Sequence, residues 1–106
     1  MTADEFIEMA RSLEGTTKAP HVDRIAFRVN RNYATLAADR ASVNLKLTPE
    51  EQEFRCMMNP GAFSAVPKGW GRMGWTTVDL AAIDPEEMHS ALTDAWRHAV
   101  PAKPRR

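Results

Sequence analysis

The chain has 106 residues, 43% of them hydrophobic and 26% charged, which is the size and balance of one globular domain with its own core. Fourteen basic residues stand against fourteen acidic ones, and this zero balance excludes histone-like avidity for nucleic acid while leaving local basic patches open. One cysteine excludes an internal disulfide, and there is neither a run of about 18 apolar residues nor a leader-like start, so a cytoplasmic protein with no membrane partner is expected.

Residues 2–14 are predicted to be a helix. Thr2 and Glu5 have the spacing of a capping box, in which each side chain takes a free backbone N–H at the other position. Phe6, Met9, Ala10 and Leu13 then form one apolar stripe, and Gly15 is placed to stop the helix. Thr16–Asp23 is polar, contains Pro20 and reads as a loop. Three strands are predicted next. In Arg24–Val29, Ile25, Phe27 and Val29 alternate with Arg24, Ala26 and Arg28. Asn30–Arg31–Asn32 supplies turn residues before Tyr33–Ala38. After Asp39–Arg40, Ser42–Leu47 alternates Val43, Leu45 and Leu47 with Ser42, Asn44 and Lys46. Links this short favour an antiparallel meander.

Thr48-Pro49-Glu50-Glu51 is the sharpest local signal: a cap, a proline where its missing N–H costs nothing, and a glutamate that closes the box. The helix it opens carries Phe54, Met57 and Met58 and stops at Asn59–Pro60. Ala62–Val66 is a weak strand, Pro67–Met73 a glycine-rich loop, and Gly74–Leu80 a strand rich in Trp, Thr and Val. Asp84-Pro85 starts the last helix, whose stripe is Met88, Leu92, Ala95, Trp96 and Ala99. Pro101 ends it. A single domain is expected over 1–101, with 102–106 as a basic flexible tail. The predicted order, α-β(3)-α-β(2)-α, gives an α+β two-layer sandwich: an antiparallel sheet with helices on one face and the other face open.

Gly69-Trp70-Gly71-Arg72-Met73-Gly74 matches G-x-G-x-x-G by letter, but a dinucleotide site needs that loop to open a helix, and here it leads into a strand. The glycines are expected to serve turn geometry. His21, His89 and His98 lack metal-ligand spacing, and no metal or cofactor is expected. Cys56 reads as a buried free thiol. Glu50–Glu51 and Glu86–Glu87 fall in first helical turns, where they complement the helix dipole. No nucleophile–base pair is visible, and an enzyme is not expected.

The open face carries more. Arg24 and Arg28 are four apart on one strand and point the same way, as do Asn44 and Lys46, two apart on another. Trp75 and Thr77 alternate onto the same face, with Arg31, Arg40, Lys68 and Arg72 in the turns and loop around it. Cations beside an aromatic suit phosphates and stacked bases. The candidate nucleic-acid-binding residues are therefore Arg24, Arg28, Lys46, Lys68, Trp70, Arg72 and Trp75. The same face would also serve a protein partner or a second copy of the chain, with Trp75 at its centre, or stand simply solvated.

Nearly the whole chain resembles the MmcQ/YjbR family of small bacterial proteins. The resemblance rests on the first helix ending in S-L-E-G, on I-A-F-R-V and Y-A-T-L-A, on L-K-L-T-P-E-E-Q (Leu45–Gln52), on P-G-A-F-S-A-V-P (Pro60–Pro67), and above all on G-W-G-R-M-G-W-T-T-V-D-L (Gly69–Leu80) before the D-P-E-E-M helix and A-W-R. Glu14 stands where the family often has proline. The resemblance implies a CyaY-like or secretion-chaperone-like fold, and a DNA-binding role described as a double wing. It implies no catalytic residue.

Overall fold

In the computed structural model, which describes residues 1–101, the capping chemistry is drawn as the residues dictate. Helix α1 (Ala3–Ser12) opens on Thr2, whose Oγ1 accepts from Glu5 N at 3.1 Å while Thr2 N donates to Glu5 Oε1 at 2.8 Å. Helix α2 (Pro49–Met58) repeats the box with Thr48 and Glu51, and helix α4 (Pro85–Ala99) is capped by Asp84. Gly15 has φ +79° after α1. Between α2 and α4 lies α3 (Gly69–Arg72), one helical turn within the stretch expected as loop.

The strands are β1 (Thr17–His21), β2 (Arg24–Val29), β3 (Arg31–Leu36), β4 (Ser42–Lys46), β5 (Phe63–Ala65) and β6 (Trp75–Asp79). They form one antiparallel sheet in the order β1-β2-β3-β4-β6-β5. The α+β class holds, with one strand more than expected. Thr16–Asp23 is not a loop: all five residues of β1 are exposed, and pairing with β2 along an edge, where Pro20 is tolerated, makes them a strand. The last five residues, the expected tail, lie outside the described part. Among the described residues no helix is long and apolar enough to cross a membrane.

Phe27, Val43, Leu45, Leu47 and Val78 are buried on the helix-covered side, as alternation predicts, with Ile25 and Val29 half-buried against them. Burying each such side chain contributes roughly 1.5–3 kcal/mol. Phe6 of α1 meets Phe27 edge-on at 5.4 Å between ring centroids. The β2–β3 register slips between Phe27 and Arg28: Phe27 faces Ala34 and Arg28 faces Asn32. The extra residue, Tyr33, goes into the core, where its hydroxyl is 2.7 Å from Thr16 Oγ1. Met88, Leu92, Ala95 and Ala99 of α4 are buried, while Trp96 is half-buried and its Nε1 donates to Glu14 O at 2.9 Å.

Helix α2 departs from expectation. Phe54, Met57 and Met58 are 54%, 68% and 63% exposed, and no residue of α2 is fully buried. Polar links hold it instead: Arg55 to Asp94 at 3.1 Å, Asn59 to Glu87 at 2.9 Å and Glu51 to His98 at 2.8 Å. Cys56 is half-buried, not buried, and that burial pushes its thiol pKa up, away from a reactive thiolate.

The β1–β2 hairpin turns on Val22 and Asp23, with Val22 at φ 59°. A β-branched residue is strained there, and the first position of such a turn calls for glycine. Val22 is 95% exposed and packs against nothing. Val22→Gly is therefore expected to raise stability by roughly 1 kcal/mol, read as a higher denaturant midpoint at unchanged slope; a lower midpoint would contradict it.

Candidate functional site

The sheet face away from the helices is built by register. Ala19, Ala26, Thr35, Asn44, Thr77 and Ser64 stand in one row through successive pairings across all six strands. On one side of the row, two residues along the strands, His21 pairs with Arg24; on the other side Arg28 faces Thr17 and Asn32, and Lys46 pairs with Trp75. Arg24, Arg28, Lys46 and Trp75 thus share this face.

A groove of about 210 Å³ crosses it, lined by His21, Arg24, Thr35, Asn44, Val66, Trp70 and Trp75. Arg24 and His21 come from one side of the sheet, Trp75 and Trp70 from the other, and Thr35 and Asn44 from the central strands between. Arg24 is fixed: its Nε donates to Thr35 Oγ1 at 2.8 Å and its Nη2 to Thr35 O at 3.2 Å. Burial lowers the guanidinium pKa, while Asp23 and Asp39 act to raise it; arginine stays charged regardless. Asn44 Oδ1 accepts from Thr77 Oγ1 at 2.8 Å.

Trp75 lines a second hollow of about 190 Å³, together with Arg31, Asn32, Tyr33, Lys46 and the α4 residues Ala95, His98 and Ala99. The indole therefore stands between a groove that holds Arg24 and a hollow that holds Lys46 and Arg31. Arg28 is exposed on the same face, its Nη2 donating to Asn30 O at 3.1 Å. Lys68 and Arg72 are exposed at the two ends of α3 and line neither hollow. Arg40, expected beside the face, instead pairs with Asp4 of α1.

What places Trp70 is the packing of α3. A Cβ on Gly71 would come within 1.9 Å of Val66 O, and one on Gly74, at φ +105°, within 1.9 Å of Leu47 O. A Cβ on Gly69 would meet only the end of the Arg72 side chain, at 3.8 Å. The glycines that matter thus approach this chain's own carbonyls, as turn geometry requires. Gln52 of α2 completes the anchor: its Nε2 donates to Gly71 O at 3.0 Å, Trp75 O at 2.9 Å and Thr76 Oγ1 at 3.1 Å, and Thr76 Oγ1 donates to Gly74 O at 2.9 Å.

His21 and Gln52 are among the contributors that escape the sequence reading. His21 belongs to the edge strand that carries no apolar alternation; the visible hint is the two-residue gap between it and Arg24. Gln52 looks like a solvated residue of a first helical turn, and nothing local signals its contacts more than 18 residues away.

A family model described as YjbR matches residues 11–98. A crystal structure of a Deinococcus radiodurans protein with the domain DUF419 superimposes with a TM-score of 0.73 at 21% identity, covering 89% of this chain and 75% of that one. A Pseudomonas syringae protein superimposes with a TM-score of 0.71 at 22% identity, covering 93% and 99%. At these identities the likeness is one of fold. No curated protein matches the chain.

Proposed function

The chain belongs to the YjbR family, and from that premise we propose that it is a binding module for single-stranded nucleic acid, acting through the open face of its sheet. One observation carries the reading: Arg24, Trp70 and Trp75 converge on one groove, and Trp75 separates it from a hollow holding Lys46 and Arg31. A base stacked on Trp75 would leave its flanking phosphates beside Lys46 and Arg31, with Arg28, Lys68 and Arg72 as further exposed cations. Stacking on indole tolerates any base and is worth about 1–3 kcal/mol. A shallow groove on a twisted sheet suits a flexible strand better than a rigid duplex.

The test is fluorescence anisotropy with labelled single- and double-stranded DNA. Single strands are expected to bind more tightly than duplex. Neutralising about four phosphates gives a log–log salt slope near −2.8, about a fiftyfold loss between roughly 50 and 200 mM salt. Trp75→Ala is expected to weaken binding about tenfold, with the circular dichroism spectrum unchanged. No binding at low salt with protein in the tens of micromolar, where even non-specific binders associate, would overturn the reading. Protein interaction would then take precedence, and its natural surface is the exposed Phe54, Met57 and Met58 of α2 in place of the sheet face.

A further inference from the structure

The polar ends fixed in the groove are donors. Thr35 holds Arg24 by Nε and one Nη2 hydrogen, and no described residue takes Nη1 or the second Nη2 hydrogen, so the end-on fork of the guanidinium is free. Asn44 spends its Oδ1 on the Thr77 hydroxyl, which leaves Nδ2 as its free end. A ligand edge that satisfies them must present acceptors side by side.

A phosphate would do so, but the charges around Arg24 argue against it. Asp23 and Asp39 act on its guanidinium, and both would repel an anion seated there. A neutral base edge feels no such penalty. Phosphates are better placed beyond Trp75, beside Lys46 and Arg31.

Among the bases, adenine sets an amino donor beside N7, and thymine flanks O4 with a methyl group and an N–H. Guanine sets O6 beside N7, the pair that arginine reads with two parallel hydrogen bonds. Cytosine also offers adjacent acceptors, O2 and N3, but on a smaller ring with less surface for an indole.

We propose that the groove is a guanine site, in which Arg24 donates to O6 and N7, Asn44 supports it from β4, two strands away, and Trp75 or Trp70 stacks on the purine. This rests on the nucleic-acid reading above and reassigns Arg24 from phosphate neutralisation, the role its charge alone suggests, to base recognition.

The experiment uses labelled oligothymidylates of about 12 residues, within the span of a small single-strand site, with one central base varied. Guanine is expected to bind about tenfold more tightly than thymine or adenine, the usual worth of a bidentate arginine contact, and more tightly than cytosine. Replacing guanine with 7-deazaguanine removes the N7 acceptor and nothing else, and is expected to return affinity to the thymine level. Arg24→Lys keeps the charge but not the fork, and is expected to remove the preference while binding persists. Equal affinity for all central bases, equal affinity for cytosine and guanine, or a preference that survives 7-deazaguanine would each overturn the guanine site and leave the nucleic-acid reading standing. No binding of any oligonucleotide at low salt would overturn both. The 7-deazaguanine arm alters only the ligand, so the result does not depend on how well Arg24→Lys folds.

Discussion

Gly74→Ala is expected to destabilise the protein by about 4 kcal/mol, a large share of the 5–15 kcal/mol that holds a typical domain together. Two costs combine. Alanine at φ +105° is strained, which costs of order 1–3 kcal/mol. Its Cβ would also lie 1.9 Å from Leu47 O and 2.9 Å from Leu47 C, and those are backbone atoms at the end of a central strand that cannot swing aside. Relieving that clash means separating β4 from the start of β6, where Leu47 N donates to Gly74 O at 3.1 Å. Overpacking of this kind adds typically 1–3 kcal/mol. For a domain of this size the melting temperature should fall by about 20 °C. Gly61→Ala is the control: its added Cβ meets only Asn59 Oδ1, at 3.9 Å and at an ordinary φ, so the change should stay within about 0.5 kcal/mol. Gly69→Ala should be similarly mild. That pattern, with the second and third glycines of the loop intolerant and the first tolerant, separates a loop packed on its own backbone from one shaped around a pyrophosphate. Equal tolerance at Gly69 and Gly74 would contradict it.

The contrast between β1 and β2 says what the sequence can disclose about this fold. Strand β2 is legible because one side is buried: Ile25, Phe27 and Val29 alternate with Arg24, Ala26 and Arg28, and period two records a face. Strand β1 buries nothing, so hydrophobicity leaves no trace of it; its backbone hydrogen bonds to β2 define it, and these depend on chain folded elsewhere. The helix starts are legible for the opposite reason. Thr2–Glu5 and Thr48–Glu51 complete their hydrogen bonds within four residues, and no tertiary context is needed. Helix α2 marks the limit of pattern reading: Phe54, Met57 and Met58 have core spacing, but Arg55, Asn59 and Glu51 make the tertiary contacts, and the apolar side faces outward.

The candidate site divides along the same line. Arg24, Arg28, Lys46 and Trp75 share a face by parity within their strands, so alternation suffices to group them. The groove is a finer object. It depends on which strands are neighbours, which brings Thr35 under Arg24 and Asn44 beside Thr77. It also depends on α3, which seats Trp70 because Gly71 and Gly74 let backbones touch. The sequence shows the glycines but not the carbonyls they meet. Arg24 is the sharpest case: alternation makes it one more surface cation, while its hydrogen bonds to Thr35 and its acidic neighbours make it a held donor.

Gln52→Glu is expected to cost about 3 kcal/mol at pH 7, more than Gln52→Leu at about 2 kcal/mol, although glutamate is the closer match in shape. The Gln52 amide donates to Gly71 O, Trp75 O and Thr76 Oγ1. Leucine removes the donor, but Gly71 O still accepts from Gly74 N and Trp75 O from Val66 N, so the loss is limited. A carboxylate would set negative charge against two carbonyl oxygens, and the Thr76 hydroxyl, already donating to Gly74 O, could not serve it without giving up that bond. In the folded state this introduced carboxyl would titrate above its unfolded value, since only its neutral form can donate to a carbonyl. Its penalty is therefore fully present above the raised folded pKa, shrinks as pH falls through it, and vanishes below the unfolded carboxylate range near 4.3. Denaturant midpoints for Gln52→Glu relative to wild type should converge on going from pH 7 to pH 4, while those for Gln52→Leu keep a constant offset. A Gln52→Glu offset that does not change with pH would mean that the amide is not the link between α2 and the Gly71–Thr76 backbone. Because that link also seats Trp70 and Trp75 on the groove, both substitutions should weaken single-strand binding at pH 7 even at temperatures where the protein remains folded.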